Sequence, residues 1–161
     1  MSAGPTRDPE PADGEVTVSQ ATEASPELLR ALHRLIPQLS PSVTPLTPEE
    51  LAAIVGSDAS VLLVASEGAG KVLGALTLAL FRVPTGMRAW IEDVVVDEAS
   101  RGRGVGAALV RAALARAKQA GARSVDLTSR PSREAANRLY LDLGFELRQT
   151  NVYRYQQAPG R

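Results

Sequence analysis

The stretch Trp90-Ile91-Glu92-Asp93-Val94-Val95-Val96-Asp97-Glu98-Ala99-Ser100-Arg101-Gly102-Arg103-Gly104-Val105-Gly106-Ala107-Ala108-Leu109 decides the fold. It reads as a strand, a tight basic glycine turn and a helix. Ile91 to Val96 is β-branched and apolar apart from two adjacent carboxylates, which suits a strand buried on both faces. Gly102, Gly104 and Gly106 recur at alternate positions, where glycine permits φ > 0 and lets a ligand come close to the main chain. After Gly106 the apolar residues take helical spacing: Leu109, Val110, Ala113, Leu114, Ala117. A glycine turn opening a helix leaves N–H groups unpaired at the positive end of the dipole, an arrangement that suits an anion and phosphate best.

Upstream, Met1 to Gly14 is rich in Pro, Asp, Glu and Gly and reads as a disordered tail. Residues 15–157 read as a single domain. Glu15 to Ser19 alternates as a first strand. Ser25-Pro26-Glu27 starts a helix whose apolar face is Leu28, Leu32, Leu35, Ile36 and Leu39, stopped by Pro41. Thr47-Pro48-Glu49-Glu50 starts a second helix, with Glu50 in capping-box position and Gly56 at the end. Val61 to Ala65 and Lys71 to Phe81 form a hairpin about Glu67–Gly70. Downstream of the quoted stretch, Ser124 to Ser129 is a strand. A helix capped by Ser129 or Ser132 follows, with Ala135, Ala136, Leu139, Tyr140 and Leu143, and Phe145 to Tyr155 is a last strand. The frayed end is Gln156 to Arg161. The order β-α-α-β-β-β-α-β-α-β describes a mixed α/β sheet, with antiparallel hairpins first and a helical crossover between two parallel strands.

The 161 residues are 44% apolar, enough for one core. Eighteen basic and eighteen acidic residues cancel, so no global field favours nucleic acid. The absence of cysteine removes thiolate metal sites and cysteine nucleophiles, and fits a cytoplasmic chain. The single histidine, His33, lies in an apolar helical pattern and reads as structural, so no metal site is expected. No apolar run reaches the ~18 residues that span a bilayer, and no signal pattern opens the chain, so no membrane partner is expected.

The glycine turn admits two readings. Gly102-x-Gly104-x-x-Ala107, with Asp126 about 20 residues on, fits the loose dinucleotide fingerprint. It comes too late in the chain for the repeated βαβ halves that such a fold needs. The second reading uses more residues. Val96-x-x-x-x-Arg101-x-x-Gly104-x-Gly106 resembles the acetyl-CoA pyrophosphate signature of the GNAT superfamily of N-acetyltransferases. Ala136-x-x-Leu139-Tyr140-x-x-x-Gly144-Phe145 resembles that family's later helix motif. The run Ile91–Asp97 is also similar to that of the glucosamine-phosphate N-acetyltransferases, which the rest of the chain does not clearly follow. Many family members carry Asn three residues before the alanine matched by Ala136; here Arg133 stands there.

The resemblance implies a GNAT fold with a wedge between its two central parallel strands, and acetyl-CoA as cosubstrate. The amides of Arg101, Gly102, Arg103, Gly104, Val105, Gly106 and Ala107 would bind the pyrophosphate, with Arg101 or Arg103 adding charge. The edges of Val94, Val95 and Val96 would pair with the pantetheine arm as an added pseudo-strand. A β-bulge there would aim an N–H at the thioester oxygen. Glu92 is the candidate base for the acceptor amine, and in a regular strand Asp93 points to the other face. Tyr140 matches the family tyrosine whose hydroxyl sits near the departing sulfur, and would donate a proton to the thiolate. The implied activity is direct acetyl transfer to an amine of a small molecule or protein, in a homodimer. A non-catalytic acyl-CoA-binding module on the same fold is the competing reading.

Overall fold

The computed structural model describes residues 14–157. The tail expected over Met1 to Gly14 lies outside the described residues except for Gly14, and so does the frayed end beyond residue 157. In chain order the elements are β1 (Val16–Gln20), α1 (Pro26–Leu39), α2 (Pro48–Val55), β2 (Ser60–Glu67), β3 (Lys71–Val83) and β4 (Gly86–Val96). A 3-10 turn (Glu98–Ser100), α3 (Val105–Gln119), β5 (Val125–Asp126) and α4 (Glu134–Asp142) follow.

Both N-terminal helices begin where their caps say. The Ser25 hydroxyl accepts from the Leu28 amide at 3.2 Å, one turn into α1. At α2 the Thr47 hydroxyl accepts from the Glu50 amide at 3.2 Å, and the Glu50 carboxylate accepts from the Thr47 amide at 2.8 Å. That Thr47 amide holds the Glu50 carboxyl below its ordinary range. The His33 Nε2–H donates to the Leu46 carbonyl at 2.7 Å and ties α1 to the segment before α2.

The sheet runs β1-β2-β3-β4-β5. Neighbours are antiparallel as far as β4, and β5 joins β4 in parallel after the α3 crossover. Leu28, Leu32 and Leu35 of α1 and Leu51 of α2 pack with Leu62, Val64, Ala75 and Val95 on one face. Val105, Leu109, Val110, Ala113 and Ala117 of α3 are buried by the other face. Truncating a fully buried leucine such as Leu35 to alanine costs roughly 2–5 kcal/mol in such a core. The described residues divide into two compact units, one ending at Thr128 and one beginning at Ser129.

Two strands depart from the sequence reading. β5 spans two residues rather than Ser124 to Ser129, because a bulge in β4 beyond Trp90 breaks the even spacing that a parallel ladder needs. Residues 145–157 carry no regular secondary structure, so the last strand expected over Phe145 to Tyr155 does not form. Strand propensity expresses fit to a half-buried ladder. Without one, Leu147 is 91% and Tyr153 88% exposed. α4 also starts without a serine cap: Arg133 takes the N-cap place and makes no side-chain cap bond.

Candidate active site

Opposite Leu76 the register between β3 and β4 slips. Ala75 pairs with Val95 and Thr77 with Glu92, so two residues of β4, Asp93 and Val94, face one of β3. This is a β-bulge, and Asp93 takes φ +51 within it. Aspartate is one of the few residues with a side chain that tolerates this region. The bulge expected on this strand is therefore present. It also overrides the strict alternation that would turn Asp93 away, for Asp93 lines the same cavity as Ala75 and Thr77.

That cavity, of about 320 Å³, lies against α1, α2 and the segment joining them. Its walls are largely apolar, and Asp93 and His33 are its titratable residues. Glu92, the chain neighbour of Asp93, is exposed and is not part of that wall. Its Oε1 accepts from the Trp90 indole N–H at 2.8 Å, which orients the carboxylate along the strand.

On its other edge β4 pairs with β5 only at Ala89 and Trp90. Beyond Trp90 no ladder continues on that edge among the described residues, so the main chain of Val94, Val95 and Val96 borders a wedge. The chain then turns through Glu98–Ser100 into the glycines. Gly102 and Gly104 both have φ +76, and a Cβ added at either would meet nothing within 4 Å. Gly104 caps α3 without a side chain. The first bond of that helix runs from the Ala108 amide to the Gly104 carbonyl, 3.0 Å. The amides of Val105, Gly106 and Ala107 therefore precede the ladder and point out of the helix end, a cradle that fits a diphosphate.

The two turn arginines are already engaged. Arg103 is hydrogen-bonded to Glu67, which raises its own pKa and holds the Glu67 carboxyl low. Arg101 lies 3.8 Å from Glu98. A brace not legible in the sequence holds the far end of β4. Arg34 Nε donates to Asp97 Oδ2 at 3.0 Å, its Nη2 donates to the Val72 carbonyl at 2.7 Å, and Gln38 accepts from the Glu98 amide at 2.9 Å.

Tyr140 belongs to the second unit. It is buried, with its ring edge-on to Phe145 at 5.8 Å between centroids. Burial pushes its hydroxyl above the ordinary tyrosine pKa, against a small opposing pull from Arg133. Asn137 Nδ2 donates to the Arg130 carbonyl at 3.0 Å, closing the loop before α4.

A bulged central strand, a wedge at its carboxyl end and an amide cradle at the next helix define an acyltransferase fold. Residues 28–145 match the profile of the acetyltransferase (GNAT) family, and the chain belongs to that family. It is 36% identical over 129 residues to glucosamine 6-phosphate N-acetyltransferase 1 of Oryza sativa subsp. japonica, covering 74% of this chain and 76% of that one, so that likeness extends well beyond the run Ile91–Asp97 in which the sequence alone made it visible. Among solved structures it is similar to a putative acetyltransferase from Agrobacterium tumefaciens str. C58, at 30% identity and TM-score 0.76 over 87% of this chain and 99% of that one. It is also similar to a transcriptional regulator from Bacillus halodurans C-125, at 29% identity and TM-score 0.71 over 88% and 100%. The chain is an acetyltransferase of the GNAT type.

Proposed function

We propose that residues 15–157 act as one catalytic domain that moves acetyl from acetyl-CoA to a primary amine by direct attack in a ternary complex. The observation that carries this reading is the continuity of bulge, wedge and cradle along β4, its turn and α3. The amides of 101–107 hold the pyrophosphate. With Arg103 tied to Glu67 and Arg101 near Glu98, binding rests on main-chain dipoles more than on free cations. The open edge of Val94–Val96 pairs with the pantetheine amides.

An amine is mostly protonated at neutral pH and must lose that proton before it attacks. Glu92, oriented by Trp90, takes it. The nitrogen then bonds to the acetyl carbon, its surplus proton passes to solvent, which later restores the one Tyr140 gives up, the carbon–sulfur bond breaks, and the thiolate leaves. Tyr140 returns a proton to that sulfur; the role rests on the resemblance of 136–145 to the family's later helix motif. Its raised pKa keeps the hydroxyl neutral, the form a donor needs. We place the enzyme in the cytoplasm, and expect a homodimer, measurable by light scattering.

Calorimetry with acetyl-CoA, followed by CoA release over a panel of amines, tests the reading. Binding with turnover, reduced about 10²–10⁴-fold in Tyr140→Phe, is the expected result. No heat with acetyl-CoA and no turnover on any amine would overturn it.

A further inference from the structure

We propose that the cavity between α1, α2 and the β4 bulge selects an acceptor with an apolar body and no phosphate, and that Asp93 is the counter-ion of its ammonium group. This rests on the acetyl-transfer reading and deepens it. The argument is one of charge. The cavity wall includes no lysine or arginine, and its one carboxylate is Asp93. His33 commits its Nε2–H to the Leu46 carbonyl. A phosphorylated amine would place a dianion among Leu32, Ile36 and Leu62 without a paired cation, and near a like charge. A protonated amine on an apolar frame meets the reverse: a charge-assisted hydrogen bond to Asp93, and burial of its carbon surface. Volume does not make the choice, since about 320 Å³ admits either kind of small amine.

The bulge puts Asp93 on the cavity wall, while Glu92, one residue earlier, stays off it at the exposed surface. Asp93, turned back into the cavity, binds the ammonium, while its chain neighbour Glu92 receives the proton. The pair divides holding from deprotonation.

The test uses the whole chain with saturating acetyl-CoA and two acceptors, 2-phenylethylamine and glucosamine 6-phosphate. A kcat/KM for phenylethylamine at least about tenfold above that for the phosphosugar is expected, since one unpaired buried charge forfeits that much or more. Asparagine tolerates φ +51 as aspartate does, so Asp93→Asn keeps the fold. It should raise KM for phenylethylamine about 10- to 100-fold and leave KM for acetyl-CoA unchanged. Inhibition by uncharged 2-phenylethanol should be unaltered in the same variant, which a merely structural role for Asp93 would not give. Preference for glucosamine 6-phosphate, or an unchanged amine KM in Asp93→Asn, overturns the inference and leaves acetyl transfer standing. Turnover of no amine, with or without acetyl-CoA binding, sinks both.

Discussion

From Gly86 to Ile91, β4 runs in even register with β3 and is flanked at Ala89 and Trp90 by β5; from Glu92 to Val96 it is bulged and paired on one edge only. Strand propensity does not decide it, for the three valines all lie in the second half and the first carries Gly86, Met87 and Arg88. The difference is a single main-chain conformation, Asp93 at φ +51. A half-strand paired on both sides has its polar groups satisfied and offers a ligand nothing. The half that diverges leaves N–H and C=O groups to be met by something else, with two carboxylates beside them. The first half is enclosed by β5 at Ala89 and Trp90, and the second half carries the open edge on which the proposed chemistry rests.

The sharpest way to break that division is Glu92→Gln. The amide is isosteric and can still accept from Trp90, so folding should hold while kcat falls about 10²–10⁴-fold and the acid limb of the pH–rate profile disappears. An unchanged profile would return Glu92 to a structural role. Next in size is Gly74→Val, on the β3 side of the open half. A Cβ there would meet the Val95 carbonyl oxygen at 2.7 Å, with Leu109 and Val105 close behind. Main chain cannot step aside as a side chain can, so the loss should be roughly 3 kcal/mol, at the upper end of overpacking, read by denaturant unfolding. A loss under about 0.5 kcal/mol, as at an ordinary surface site, would show that the open half yields. Gly104→Val makes the opposite contrast, since its Cβ has empty space around it. It pays only the left-handed strain of about 1–2 kcal/mol. Yet acetyl-CoA affinity should fall about 30-fold or more, the equivalent of roughly 2 kcal/mol. Undiminished affinity would move the pyrophosphate elsewhere.

What could be read from the sequence was whatever is set locally. Ser25-Pro26, the Thr47–Glu50 box and the glycines at 102 and 104 mark turns and helix starts through chemistry within four residues, and all stand where expected. The crossover to a parallel strand followed from the 3.6-residue spacing in α3. What could not be read depends on partners far along the chain. The bulge was expected by resemblance, but its effect on Asp93 depends on how β3 registers against β4, which alternation in β4 alone cannot supply. β5 was overextended for the same reason. The strand-like pattern of 145–155 records propensity and says nothing of whether an edge is there to receive it. Nothing within a few residues of Arg34 and Gln38 marks them out. Only the fold brings them to Asp97 and Glu98.

That brace gives the smallest and most specific test of the open half. Asp97 stands just past Val96, its carboxylate bonded to Arg34 and, at 3.2 Å, to the Ala99 amide. Burial alone would raise its pKa; the Ala99 amide and the Arg34 guanidinium outweigh burial and hold it below the ordinary aspartate range. A carboxyl depressed in the folded state adds stability above its unfolded value near 3.9, and that stability is lost as pH falls through the folded value. Asp97→Asn should therefore cost about 0.5–1 kcal/mol at pH 7, held to that range because Arg34 is 47% exposed and screened by solvent. The gap between variant and parent should close as pH drops below about 4, because protonated aspartic acid and asparagine then offer Arg34 equally little. Urea unfolding at pH 7 and pH 3 reads this directly. A gap of equal size at both would mean that shape rather than charge ties α1 to the end of β4, and that the diverging half is braced by packing alone.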